Sequence, residues 1–262
     1  MAARTPPPLA VFFFLFLHLN RYPELVLKYF LLIFVVPFFS VAAATENFRV
    51  MIDPGHGGQD LGATRDSFVE SKIVLQIAKH LKSALEELNV KDVLLTREAD
   101  ENISLKERVN KANQAGADLF ISLHANTSSQ ATWSGMEFYF NANSRQVPEP
   151  APLKPTNNEV VAQIQKDFKY YEKTEKSLVL SKSIQTLTNS TEQKSIIKRA
   201  PFYVIENTEM PSILIEMGFI SNRREAQKLN DPTYQKEIAV LIAKALLSYK
   251  EKSDKNLRLI DK

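Results

Sequence analysis

The sequence predicts an α/β fold in which helices cover both faces of one sheet. Six short segments have the apolar, β-branched composition of strands, and segments with helical periodicity alternate with most of them. Such alternation is typical of sheets that pack helices on each side. Glycine and proline turns separate the segments and mark where individual strands end.

The strands are predicted from composition and from the turns that follow them. Residues 48–53 end directly before Pro54 and Gly55, and residues 55–62 hold four of the seven glycines of the chain. That glycine-rich stretch therefore forms a loop with unusual backbone angles. The other predicted strands cover residues 91–96, 118–123, 135–141, 202–205 and 212–217.

Three helices are predicted from apolar residues that recur every three or four positions. The first covers residues 70–88 and the last covers residues 232–250. Between them, residues 104–115 begin with Ser104 as N-cap, and Glu107 follows three positions later. This pair is the sequence signature of a capping box.

Residues 143–176 are predicted to be an insertion in the globular domain. Four prolines between residues 148 and 155 stiffen the chain, and a short helix is expected from about Asn158. Helical spacing resumes over residues 177–187. The domain itself is expected to span residues 47–250, with a flexible tail at residues 251–262.

The N-terminus is predicted to be a targeting segment. Residues 9–19 and 25–44 are apolar, and the second run ends in small residues up to Ala44. This pattern favours a signal peptide over residues 1–44, with an uncleaved membrane anchor as the alternative. In either case the folded part faces a periplasmic or otherwise extracytoplasmic space, and any membrane contact is made only through this segment.

Composition excludes several classes of protein. The 262 residues contain no cysteine, so neither disulfides nor thiolate metal sites are possible. The formal net charge is +3, of which residues 1–44 contribute +2. The remaining chain is nearly neutral, which argues against nucleic acid as a partner.

Polar, metal-competent side chains occur at the ends of three predicted strands. His56 follows the first strand, His124 follows the third, and Glu216 lies in the run SILIEMGFISN. Glu70 stands at the start of the first helix, and helix N-termini share one edge of a parallel sheet with strand C-termini. His56, Glu70 and His124 are therefore candidate ligands of a metal ion.

The donor set of imidazoles and a carboxylate suits zinc, although the type of ligand alone does not exclude manganese or iron. Zinc hydrolases commonly keep three protein ligands and one open position. Glu216 is the candidate general base, since a carboxylate in an apolar strand is costly unless it is used or paired.

Each of these residues also has a structural interpretation. A lone histidine after a strand is often structural, and Glu70 could simply complement the helix dipole. Glu216 could instead pair with Arg97 or Lys198. The joint pattern is much less probable by accident than any one member.

Several stretches of the chain, besides Glu70 at the start of a helix, match a known family. They are DPGHGGQDLGA (53–63), LTREAD (95–100), SLKERVNKAN (104–113), DLFISLHAN (118–126), APFYVIENTEMPSILIEMGFISN (200–222) and DPTYQKEIA (231–239). Through these stretches the chain resembles the zinc-dependent N-acetylmuramoyl-L-alanine amidases of bacterial cell-wall turnover, in the variant of periplasmic division enzymes. The resemblance extends from about Asn47 to Tyr249.

The resemblance implies a mixed, mainly parallel six-stranded twisted sheet flanked by helices on both faces, with one catalytic Zn²⁺. It assigns His56, Glu70 and His124 to the metal and Glu216 to general-base catalysis, in agreement with the residue patterns. The expected reaction cleaves the amide between N-acetylmuramic acid and L-alanine of the peptidoglycan stem peptide, in cell-wall remodelling and cell separation. Related enzymes carry an insertion whose helix covers the site, so residues 143–176 are expected to form a partial lid on which a protein activator acts. An ordinary solvated loop is an equally good interpretation.

Two other functions remain open at this point. The same metal site could cleave within the stem peptide, as a carboxypeptidase or endopeptidase does. Ser195 and Lys198 also have the S-x-x-K spacing of penicillin-binding serines, which would give a dual-activity enzyme. A non-catalytic wall-binding protein is disfavoured because all four site positions are filled.

Overall fold

The computed structural model describes residues 48–141, 157–190 and 194–260, with the side chains of 157–159 and 254–260 left out. The chain divides into two units, residues 1–46 and 47–262, and every described residue belongs to the second. The predicted signal peptide lies outside the described residues and stays a prediction. No helix in the described ranges is long and apolar enough to cross a membrane.

Six strands form the predicted mixed, mainly parallel sheet. They are β1 (Arg49–Pro54), β4 (Asp92–Leu95), β5 (Leu119–Asn126), β6 (Met136–Phe140), β7 (Ser195–Arg199) and β8 (Ser212–Phe219). Their order is β4-β1-β5-β8-β6-β7. The first four of that order run parallel, and β6 runs antiparallel to β8. A two-stranded hairpin, β2 (Thr64–Arg65) and β3 (Phe68–Val69), lies outside the sheet.

Helices cover both faces, as predicted. They are α1 (Glu70–Glu87), α2 (Leu105–Ala115), α3 (Asn157–Asn189), α4 (Tyr203–Asn207), α5 (Arg223–Leu229) and α6 (Pro232–Ile260). The capping box of Ser104 and Glu107 at the start of α2 is present. Helix α6 continues past the predicted end at residue 250, so the segment predicted to be a flexible tail is helical through Ile260.

Alternating side chains of each strand enter two separate cores. Ile52, Ile121 and Ile215 belong to the core under α1, α3 and α6. Met51, Phe120 and Leu214, one position away, belong to the core under α2 and α4. Because strand side chains alternate with a period of two, the polar residues Asp53, Ser122, His124 and Glu216 follow the α2–α4 face.

One predicted strand was wrong. Residues 202–205 were predicted to be extended, but Tyr203–Asn207 form the short helix α4, in which the Glu206 amide donates to the Phe202 carbonyl at 2.9 Å. The sixth strand is β7 instead, an edge strand with Ile196 half exposed. A short apolar run does not distinguish a strand from a helical turn by periodicity alone.

The helix expected within the insertion is longer than predicted. Helix α3 runs without interruption from Asn157 to Asn189, because no glycine or proline breaks the chain between those positions. The predicted short helix and the helical spacing of residues 177–187 are thus parts of one element. The proline-rich stretch of residues 142–156 lies outside the described residues.

Candidate metal centre and active-site cleft

The carboxyl ends of three neighbouring parallel strands bring the candidate residues together. His124 lies near the end of β5, and Glu216 is its register partner on β8. His56 follows β1, and Glu70 is the first residue of α1. The structure therefore places the four residues at one edge of the sheet, as the sequence pattern predicted.

Three of these side chains form a group with metal-ligand geometry. Glu70 Oε1 lies 3.2 Å from His56 Nε2 and 3.0 Å from His124 Nδ1. One ligand atom from each residue lies within 4.8 Å of the others. Two ligands at about 2.0–2.1 Å from a tetrahedral ion are about 3.3 Å apart, so the spacing fits a small cation.

Hydrogen bonds from two backbone amides fix the orientation of the Glu70 carboxylate. Its Oε2 accepts from the Ala63 amide at 2.7 Å, and its Oε1 accepts from the Ala125 amide at 3.0 Å. The residue is 4% exposed. Burial opposes ionisation, but contacts with His124 and His56 hold the pKa of Glu70 well below its usual value. The carboxylate is thus charged and ready to bind a cation.

His56 has a second polar partner that defines its orientation. Its Nδ1 lies 2.8 Å from Asp60 Oδ2, which leaves Nε2 facing Glu70. Burial lowers the pKa of His56, but Glu70 and Asp60 outweigh burial and raise it to about 9. A carboxylate on the outer nitrogen of a histidine is common in metal sites, where it fixes the ring. Asp60 had not been predicted to be a site residue.

The close approach of His124 depends on Gly55. A Cβ atom at position 55 would lie 2.3 Å from His124 Cε1, which no real contact allows. A similar restriction applies to Gly62, where a Cβ would lie 2.5 Å from Glu70 Oε2. The glycine-rich loop is therefore required for packing against the candidate ligands as well as for its backbone angles.

Glu216 is a partly buried carboxylate that forms no ion pair with a lysine or arginine among the described residues. Its Oε2 has no hydrogen-bond partner among the described residues. Lys198 instead contacts Glu137 Oε1 at 2.5 Å, and Arg97 donates only to backbone carbonyls. Neither pairing considered for Glu216 is formed. Burial raises the pKa of Glu216 to about 7, and the neighbouring Glu70 and Glu137 act in the same direction.

A cleft of about 380 Å³ lies beside the candidate residues. His56, His124 and Glu216 line it together with Leu105, Phe202 and Tyr203. Tyr139 packs edge-on against Phe202, with ring centres 5.1 Å apart. The aromatic residues of the cleft were missed from the sequence because residues 202–205 had been predicted to form a strand.

The S-x-x-K pair does not form a second site. Ser195 and Lys198 lie three positions apart on β7, so they project from opposite faces of the strand. The Ser195 hydroxyl donates to Asn189 Oδ1 at 2.7 Å, and Lys198 binds Glu137. A serine nucleophile therefore has no lysine base here.

A His–Glu–His group beside a further carboxylate, in a cleft at the carboxyl edge of an α/β sheet, is typical of metal-dependent hydrolases. The sequence profile described as N-acetylmuramoyl-L-alanine amidase matches residues 50–248. The chain belongs to the N-acetylmuramoyl-L-alanine amidase family, which confirms the enzyme class predicted from the sequence.

Named relatives agree with this assignment. The chain is 34% identical over 205 residues to LytC of Bacillus subtilis, covering 76% of this chain but only 35% of LytC. It is 32% identical over 224 residues to AmiA of Escherichia coli, covering 76% of this chain and 75% of AmiA. Among solved structures, CwlD of Clostridioides difficile, in complex with the GerS lipoprotein, has a TM-score of 0.61 at 26% identity. That match covers 78% of this chain and 98% of CwlD.

Proposed function

We propose that this protein hydrolyses the amide bond between N-acetylmuramic acid and L-alanine of peptidoglycan, using a Zn²⁺ ion held by His56, Glu70 and His124. The observation that carries the proposal is the buried Glu70 carboxylate between two imidazole nitrogens, at 3.0 and 3.2 Å. The donor set contains no sulfur, and two nitrogens with one oxygen match hydrolytic zinc sites. When bound, the ion supplies Lewis-acid activation.

Glu216 then serves as general base and acid. It takes a proton from the attacking water and returns it to the nitrogen of L-alanine as the amide bond breaks. Burial favours this exchange, because it raises the pKa of Glu216 to about 7 and so keeps both protonation states accessible near neutral pH.

Mass spectrometry of digested peptidoglycan tests the scissile bond. Purified sacculi treated with the Zn²⁺-loaded protein should release stem peptides that begin with intact L-alanine. Loss of terminal D-alanine would instead identify a carboxypeptidase, and cuts within the peptide an endopeptidase. A digest identical to untreated sacculi would leave only a wall-binding role and would overturn the proposal.

Metal binding at this centre is expected to release a proton. In the metal-free protein the pKa of His56 is raised to about 9, so its Nε2 is protonated at neutral pH. A cation must displace that proton, and the apparent affinity should rise up to about tenfold per pH unit below pH 9, levelling off above it. Calorimetry in buffers of different ionisation enthalpy measures this release, and a pH-independent affinity would contradict the proposed role of His56.

The location of the protein is proposed to be outside the cytoplasm, in a periplasm or the extracellular space, since its substrate is there. The residues 1–44 are proposed to be the targeting signal, and a role in cell separation follows from the resemblance to division enzymes.

The partial lid at residues 143–176 also stays a proposal. No described side chain of α3 lines the cleft.

The first turns of α3 carry an exposed apolar stripe, formed by Val160, Val161, Ile164, Phe168 and Tyr171. Ile164 is 58% and Phe168 72% exposed. Lys173 is buried against the carbonyls of α4, and Ile164 lies nine positions before it, on the opposite side of the helix. The stripe therefore faces away from the domain.

We propose that an activating protein partner covers this stripe. Charged residues of both signs border the stripe, and Glu172 is already paired with Lys176 at 2.6 Å, so the partner surface should be mainly apolar. The CwlD structure, which contains a lipoprotein partner, supports the expectation that members of this family form such complexes.

Photo-crosslinking tests the stripe. A photoreactive residue at position 168 or 164 should yield one crosslinked protein in the cells that make this chain, and Phe168→Asp should reduce the position-164 product at least fivefold. The matched control is position 240, where Val240 on α6 is 38% exposed. No product at 168, or a product only with a second copy of this chain, would contradict the proposal.

A further inference from the structure

Two arginines are buried directly beneath the loop that carries His56. Arg97 is 1% exposed and Arg108 is 3% exposed. Removing a guanidinium from water is costly unless its N–H groups are paired, so the groups that these arginines bind are informative. Neither arginine is used by the proposed chemistry.

Arg108 binds one carboxylate and the backbone of the loop. Its Nη1 donates to Asp53 Oδ1 and to the Pro54 carbonyl, both at 2.7 Å. Its Nη2 donates to the carbonyl of His56 at 2.6 Å. Asp53 is itself fixed by the hydroxyls of Thr96 and Ser122, at 2.6 and 2.8 Å. The guanidinium is thus neutralised by Asp53 and aimed at the loop.

Arg97 binds the adjoining carbonyls. Its Nε donates to Pro54 at 2.9 Å and its Nη2 to Gly55 at 2.7 Å. The same Nη2 donates to the carbonyl of Ser71 at 2.8 Å. Because Ser71 follows Glu70, Arg97 links the loop that carries His56 to the helix turn that carries the second ligand.

The loop needs such support because its backbone is unfavourable. His56 has φ of 57°, in the left-handed region that residues with a Cβ atom rarely adopt. Non-glycine residues stay in this region only when the surrounding structure fixes them. The two arginines together hold the carbonyls of three consecutive residues, Pro54, Gly55 and His56.

We propose that Arg97 and Arg108 are positioning residues of the metal centre, which hold residues 54–56 in the turn that presents His56 to Glu70 and His124. The inference rests on the proposed function, because it assumes that His56 is a metal ligand. A planar guanidinium binds several oxygens in fixed directions, whereas an ammonium group acts as a compact point charge. Lysine could therefore neutralise Asp53 without holding the loop.

The test compares Arg108→Lys with a matched arginine far from the site. Arg49 also bonds a carboxylate, Asp92 at 2.7 Å, and a carbonyl, that of Ala115, but it lies at the opposite end of β1. Zn²⁺ affinity is measured by competition with a chromophoric chelator, and folding by circular dichroism. We expect Arg108→Lys to remain folded and to bind Zn²⁺ about 10–100-fold more weakly, and Arg49→Lys to bind within about twofold of wild type.

Two further measurements complete the test. Excess Zn²⁺ should restore most of the turnover of Arg108→Lys, because the variant loses metal affinity rather than the base. Arg97→Lys provides a second variant if Arg108→Lys does not fold, and it should weaken Zn²⁺ binding in the same range. Wild-type affinity in a folded Arg108→Lys or Arg97→Lys protein would overturn the inference, as would an equal loss in Arg49→Lys.

The affinity readout separates this inference from the proposed function. A wild-type protein that binds Zn²⁺ but releases no stem peptide would contradict the proposed reaction and leave the positioning role to be judged on affinity. If the His56→Ala variant binds Zn²⁺ as tightly as the wild type does, both the proposed function and the positioning role are overturned.

Discussion

Replacing Glu216 by glutamine should reduce turnover of peptidoglycan by about 10²–10⁴-fold and leave Zn²⁺ affinity within about twofold of wild type. Glutamine keeps the size of the side chain but cannot accept a proton from water. Glu216 is not among the three residues that meet around the candidate metal position, so the loss should be confined to the chemical step.

The pH profile gives a second readout of the same substitution. Burial raises the pKa of Glu216 to about 7, so the fraction in the basic form falls as pH decreases through that value. Wild-type kcat/KM should therefore rise with pH until it levels off above the pKa of Glu216. That pKa is about 7 in the metal-free protein, and a nearby dication lowers it. Glu216→Gln should lose this acidic limb.

The neighbouring carboxylate offers a matched control for Glu216. Glu137 is its register partner on β6 and is more buried than Glu216, but it binds Lys198, Tyr139 and Asn126. Glu137→Gln should leave most of the turnover, since its oxygens are occupied. A larger loss in Glu137→Gln than in Glu216→Gln would contradict the assignment of the base.

Much of the sheet could be predicted because its strands are continuous apolar runs bounded by glycine and proline. The period of two then places Asp53, Ser122, His124 and Glu216 on one face, and parallel strands bring their carboxyl ends together. The convergence of His56, Glu70 and His124 could be predicted from this alternation of side chains and from the shared carboxyl edge of the parallel strands. Their role as metal ligands was predicted from chemistry and remains a prediction.

The parts that were missed depend on long-range contacts. Residues 202–205 are a short apolar run, and periodicity alone does not distinguish a strand from a helical turn in such a run. In the turn that forms, both Val204 and Ile205 enter the core that contains Phe120 of β5 and Leu214 of β8. The importance of Arg108 is not visible in SLKERVNKAN, because its partners lie more than fifty positions earlier, at Asp53 and His56. Helix α3 contains no breaking residue, but its two halves face different surroundings, so its periodicity does not look continuous.

His56→Ala should abolish both Zn²⁺ binding and turnover. The substitution removes one of three ligand atoms. The Zn²⁺ affinity should therefore fall by more than roughly 10–100-fold, which is the loss typical of replacing a residue that contacts a metal ligand but not the metal. Excess Zn²⁺ should not restore activity, in contrast to Arg108→Lys. The matched control is His80→Ala, since His80 lies on α1 outside the ligand group. Equal Zn²⁺ affinities of His56→Ala and wild type would place the metal elsewhere.

The metal-free protein gives an independent check of the His56 environment. Because Glu70 and Asp60 raise the pKa of His56 from 6.5 to about 9, these contacts stabilise the fold fully below pH 6.5, and this contribution is lost as pH rises through 9. His56→Ala should therefore lower the Tm of the metal-free protein more at pH 6 than at pH 9.5. Thermal unfolding in the presence of a chelator measures the difference, and an effect that is larger at pH 9.5 would show that protonated His56 does not interact favourably with Glu70 and Asp60.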